Sequence, residues 1–135
     1  MSLLRSSFRA ARAARTLTFA RGLSASAVRR DHFLDVNPAE FRQRVIEGGP
    51  KPVLVDFYAD WCQPCRVLSP VLQKLTGPES EYDLMTVDVD KYPELAGDFK
   101  VTALPTVIAF KDGKVKNKFL GFRSEADVKK FLNML

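Results

Sequence analysis

Cysteine is scarce in this chain, with two in 135 residues, and histidine occurs once. That scarcity argues against a structural zinc site, which takes four ligands, usually two cysteine pairs or a pair with two histidines. No metal is expected. Long apolar runs are missing too: none approaches the roughly 18 residues that suggest a membrane span, so no stable membrane association is expected. Internal repeats are absent. Acid is absent from residues 1–30, which hold seven arginines (Arg5, Arg9, Arg12, Arg15, Arg21, Arg29 and Arg30) and no lysine. The net charge of +5 and the pI near 9.4 therefore belong to this segment. Without its arginines, 14 of the 21 basic residues face all 16 acids, a net charge of −2 over residues 31–135. A slightly acidic domain needs no phosphate-binding footprint, and no nucleic-acid partner is expected.

What is present divides the chain in two. Residues 1–30, "MSLLRSSFRAARAARTLTFARGLSASAVRR", have the Arg-, Ser- and Ala-rich composition of a mitochondrial transit peptide. On a helix, Arg5, Arg9 and Arg12 share one sector beside Leu4, Phe8 and Ala11, with Arg15 near the apolar edge. A basic amphipathic segment is drawn to anionic membranes and moved by a negative-inside potential. It lacks the uninterrupted apolar core of a secretory signal. "RGLSAS" resembles a processing site, so a mature chain beginning between Leu23 and Asp31 is expected, in the mitochondrial matrix. The plainer alternative is a solvated basic tail on a cytosolic protein.

Residues 31–135 read as one domain; 46% of the whole chain is hydrophobic and 27% charged, a globular composition. Asn37, Pro38 and Glu40 mark a helix start, with Phe41, Val45 and Ile46 as its inner stripe and Gly48-Gly49 as its end. "PVLVDFYA" is apolar on both faces except at Asp56, as in a central strand covered on each side. Val67, Leu68, Val71, Leu72 and Leu75 predict a helix ending at Gly77-Pro78 and kinked at Pro70. "YDLMTVDVD" predicts a strand, and Pro93 opens a short helix to about Phe99. "TVIAF" and "VKNKFLG" form a hairpin about Asp112-Gly113, with Lys114, Lys116 and Lys118 alternating outward to protect the edge. Ser124 and Asp127 cap a last helix with Val128, Phe131 and Leu132 inward, and "HFLDV" adds a short first strand. The fold class is α/β: a central mixed β-sheet flanked by helices on both faces.

Both cysteines lie in "VDFYADWCQPCR", residues 55–66. A purely structural disulfide here would close too short a loop to remove much entropy from the unfolded chain. A redox pair fits better. Cys62 falls at a helix N-terminus, where unpaired N–H groups and the helix dipole favour an anion and pull the thiol below its ordinary pKa. A solvent-open Cys62 would attack a substrate disulfide, and the less exposed Cys65, one turn inside, would resolve the mixed disulfide. Pro64 is tolerated in the first turn and stiffens the loop.

"FYADWCQPC" resembles the active site of thioredoxins. The likeness extends to Asp56, to Pro70, to "KVTALPT" forty residues on, and to Gly113 and Gly121, covering about residues 33–135. It implies the thioredoxin fold and a protein-disulfide reductase of the mitochondrial type, with no bound cofactor. It implies a monomer re-reduced by an NADPH-dependent flavoprotein thioredoxin reductase, with clients such as peroxiredoxins. By this resemblance Asp56 is a buried acid that takes the proton of Cys65, and the Leu104–Pro105 bond is cis. Ala103 and Leu104 then offer backbone to an extended substrate, while Trp61, Pro64, Leu104, Pro105 and Gly121 form an exposed apolar rim. Three departures stand out. Gln63 replaces a glycine at the rim, and Tyr58 replaces a tryptophan common in bacterial members. Thr86 falls where many relatives carry a lysine, which implies a higher pKa for Asp56 than in those relatives. The competing readings are an oxidase or isomerase of the same fold, and a non-catalytic binding module or holdase.

Overall fold

The computed structural model describes residues 32–49, 51–76 and 80–135. The basic segment 1–30 and the helix end expected at Gly77-Pro78 lie outside them.

The double-sided apolar strand is the centre of the molecule. That strand, β2 (Val53–Tyr58), pairs in parallel with β3 (Asp83–Asp88) and antiparallel with β4 (Thr106–Lys111). The two-residue β1 (His32–Phe33) joins β3 in parallel, and β5 (Lys114–Leu120) closes the other edge beside β4. The sheet order is β1-β3-β2-β4-β5. The expected mixed sheet is present, and helices cover both its faces.

Alternation along β2 sorts the core. Val53, Val55 and Phe57 face α1 (Pro38–Phe41, continuing as a π-helical stretch over Arg42–Ile46) and α3 (Pro93–Asp98), meeting Phe41, Val45 and Leu95. Leu54 faces α2 (Gln63–Leu75) and α4 (Glu125–Asn133), meeting Leu68, Leu72, Val128 and Phe131. Both helix starts read from sequence are capped. Asn37 Oδ1 accepts the N–H groups of Ala39 and Glu40, while Glu40 closes the capping box. The Ser124 hydroxyl accepts the N–H of Asp127. Each cap contributes about 1 kcal/mol.

Two expectations shift. Ile46 and Val67 are 45% and 57% exposed, not core; each lies at the flank of its helix stripe, about 100° from a buried neighbour. A bulge between Ala109 and Phe110 breaks the alternation of β5. Val115 opposes Phe110 and Lys118 opposes Ile108, which puts Lys114 and Lys118 on opposite faces, although Lys114, Lys116 and Lys118 are all exposed. As expected, Pro70 lies inside α2. At the hairpin turn, Asp112 and Gly113 both have positive φ, 52° and 75°. A Cβ on Gly113 would sit 2.4 Å from the Ile46 carbonyl oxygen, so only glycine lets the turn lie against the end of the first helix.

Candidate active site

The site forms where β2 ends and α2 begins. The chain turns over Ala59–Cys62, closed by the Cys62 N–H donating to the Ala59 carbonyl at 3.1 Å. The Arg66 guanidinium donates twice to the Asp60 carbonyl, at 3.0 and 2.6 Å, and fixes this turn to the helix. Cys62 is the N-cap residue of α2, with extended backbone, and its Sγ accepts the N–H of Cys65 at 3.3 Å. The two sulfurs are joined in a disulfide, with Cα atoms 5.3 Å apart. Cys62 is 4% exposed and Cys65 1%. The order matches expectation, but the anticipated open Cys62 is not found in this disulfide form. Its sulfur is bonded to Cys65 and packed with Ala59, Leu104, Tyr58 and Val89.

Beneath them lies Asp56, fully buried on the α2 side of β2. Its Oδ2 accepts the Ser69 hydroxyl at 3.4 Å, while Oδ1 has no hydrogen-bond partner among the described residues. Burial pushes its pKa from 3.8 up to about 7, only partly offset by the Ser69 bond. Ser69 follows Cys65 by four residues, so both stand on the same face of α2, one turn apart. That relation places the carboxyl under Cys65. Thr86 is the β3 neighbour of Asp56, and its hydroxyl accepts the Asp35 N–H at 2.7 Å.

The segment before β4 covers the pair. Leu104–Pro105 is cis, as expected, and Leu104 packs on the cysteines. The Pro105 carbonyl accepts the Gly121 N–H at 2.8 Å, bringing these two residues together. The Ala103 carbonyl accepts the Thr106 hydroxyl at 2.6 Å. Trp61 is 68% exposed, and Gln63 and Pro64 stand exposed beside it. Pro105 itself is buried and does not belong to the exposed rim; it enters β4 directly, where Thr106 is already covered. Ser69 and Asp90 were not singled out from sequence. Asp90 Oδ2 accepts the Trp61 indole N–H at 3.0 Å. The spacing from Cys65 could have found Ser69; nothing local pointed to Asp90.

The family model for thioredoxin matches residues 32–134. The chain belongs to the thioredoxin family. Among curated thioredoxins it is 40% identical over 97 residues to the mitochondrial protein of Mus musculus and, equally, to that of Bos taurus, covering 71% of this chain. The match spans only 58% of those two relatives' length. The oxidised mitochondrial thioredoxin 3 of Saccharomyces cerevisiae superimposes with a TM-score of 0.66 at 33% identity, covering 76% of this chain and 94% of that one. Another neighbour has a TM-score of 0.67 at 32% identity, with the same coverage. It comes from work on thiol resolution in a yeast mitochondrial 1-Cys peroxiredoxin via glutathione/thioredoxin systems. A thioredoxin fold is thus established from sequence and from shape.

Proposed function

We propose that this chain is a protein-disulfide reductase that cycles between a Cys62/Cys65 dithiol and the disulfide described above. One observation carries the reading: the Cys62 sulfur is the N-cap of α2, accepting the Cys65 N–H, with a proton-accepting acid buried below.

In the reduced protein, the helix N-terminus holds Cys62 as a thiolate. It attacks one sulfur of a client disulfide, forming a mixed disulfide and expelling the other sulfur as a thiolate. Asp56 takes the proton of Cys65, whose thiolate attacks Cys62 Sγ; the second client sulfur leaves, and the internal disulfide closes. Two electrons pass to the client. A carboxyl titrating near 7 suits this exchange, being able both to accept and to release the proton at neutral pH. Trp61, Gln63, Pro64, Leu104 and Gly121 form the docking rim, with the backbone of Ala103 and Leu104 alongside an extended client segment.

Re-reduction then needs an NADPH-dependent flavoprotein thioredoxin reductase. Peroxiredoxins fit as clients, in keeping with the described yeast neighbour. Residues 1–30 act as a transit peptide that leads a monomeric domain, residues 31–135, to the mitochondrial matrix, a reading supported by the mitochondrial relatives. The test is insulin reduction. Cys62→Ser should lower turnover at least a thousandfold while the fold persists, whereas turnover near wild type would leave a binding module as the better account.

A further inference from the structure

Arg66 grips the chain on both sides of Trp61. Its backbone N–H donates to the Cys62 carbonyl at 3.3 Å, while Nε and Nη2 of its guanidinium donate to the Asp60 carbonyl at 3.0 and 2.6 Å. A carbonyl oxygen has two lone pairs, so that of Asp60 is fully committed to α2. Asp60 and Trp61 are the central residues of the turn that the Cys62 N–H and the Ala59 carbonyl close. The gripped carbonyl therefore belongs to the middle peptide, whose rotation distinguishes one turn type from another. The backbone that follows is that of Cys62, extended at φ −81° and ψ 106°, with its Sγ turned back onto the Cys65 N–H.

Helix stability does not account for Arg66. It is the fourth residue of α2, where a cation opposes the helix dipole, and no acid stands in the first turn to offset it. Arg66 makes no ion pair among the described residues. Its side chain is exposed, yet it folds back six residues to reach one carbonyl instead of extending into water.

We propose that Arg66 is a positioning residue for disulfide exchange: its fork on the Asp60 carbonyl holds the turn so that the Cys62 sulfur, once reduced, stays seated on the Cys65 N–H. The inference rests on the redox reading of the pair. It assigns the effect to the two-point grip and not to the positive charge, because a guanidinium presents its donors in a rigid fork, whereas an ammonium is a point charge on a flexible stem. A loosened turn costs the thiolate a donor, and the Cys62 thiol then ionises at higher pH.

The test is the pH profile of Cys62 alkylation by iodoacetamide in the reduced full chain, located by peptide mass spectrometry, for wild type, Arg66→Lys and Arg66→Gln. Asp56, Tyr58, Asp60 and Asp90, the other ionisable groups around the turn, are intact in all three. The midpoint should rise by about half a pH unit in both variants, a roughly threefold fall in the acid dissociation constant. A wild-type midpoint in Arg66→Lys would give the effect to the charge and overturn the proposal. So would a lowered urea midpoint with an unmoved alkylation profile, which would leave Arg66 a purely structural residue. A wild-type Cys62 that titrates as an ordinary thiol would sink the redox reading and this inference together. A depressed wild-type midpoint left unchanged in both variants would sink this inference alone.

Discussion

The two faces of β2 solve different problems with adjacent residues. On the α1/α3 side, Phe57 joins Phe41, Phe99 and Phe110, rings that meet at 5.2–6.2 Å between centroids, and among the described residues the buried cluster there holds no charged group. On the α2/α4 side, one residue earlier, Asp56 is equally buried but carries an oxygen without a partner. The first face is optimised for cohesion. The second also buries Thr86 and Asp88, and gives up cohesion most at Asp56, whose Oδ1 is the buried side-chain oxygen without a hydrogen-bond partner among the described residues. A buried carboxyl with one hydrogen bond lowers stability, and its position beneath Cys65 is the reason to read it as functional.

Moving the acid across the strand should break the contrast. Val55 is fully buried on the aromatic face, and Val55→Asp should cost about 4 kcal/mol at pH 7, because burial raises the carboxyl pKa by roughly 3–5 units and the proton-linked cost is capped by the interval from about 3.9 to 7. Urea unfolding would show it, with partial recovery in acid; a loss below about 1 kcal/mol would mean the two faces are equivalent. Removing the acid from its own face has a smaller effect of opposite sign. The Asp56 pKa is about 7 when folded and 3.8 in its ordinary state, so the folded protein binds the extra proton between these values. Its favourable contribution is complete below about pH 4, falls as pH rises through 7, and is lost above. Asp56→Asn should therefore stabilise the protein by about 1–3 kcal/mol at pH 8 and flatten the pH dependence between 4 and 7. Turnover should fall about a hundredfold. A retained pH slope would assign the titration to another group. The smallest change is Ser69→Ala. Losing that bond should raise the Asp56 pKa further and alter stability by about 1 kcal/mol, read from the Asp56 carboxyl carbon in an NMR titration; an unmoved pKa would exclude Ser69 from the site.

Much of this architecture was legible because it follows from period. The alternation in Val53–Tyr58, the caps at Asn37 and Ser124, and the Asp112-Gly113 turn are local patterns, and all are present where expected. Period could not separate Val67 from its stripe, because only the packing of α2 on the sheet decides which flank stays open. The bulge opposite Ala109 and Phe110 was equally hidden, since a single extra residue leaves no compositional trace. In the site, Cys62, Cys65 and the cis Leu104–Pro105 bond could be anticipated from sequence and resemblance. The Trp61–Asp90 hydrogen bond joins residues 29 apart and exists only once β3 lies beside β2.

The Cys65 N–H is directed at Cys62 Sγ, the atom to which the proposed cycle assigns the chemistry. In the proposed cycle that sulfur alternates between thiolate and disulfide, and a hydrogen bond to the thiolate is the stronger of the two.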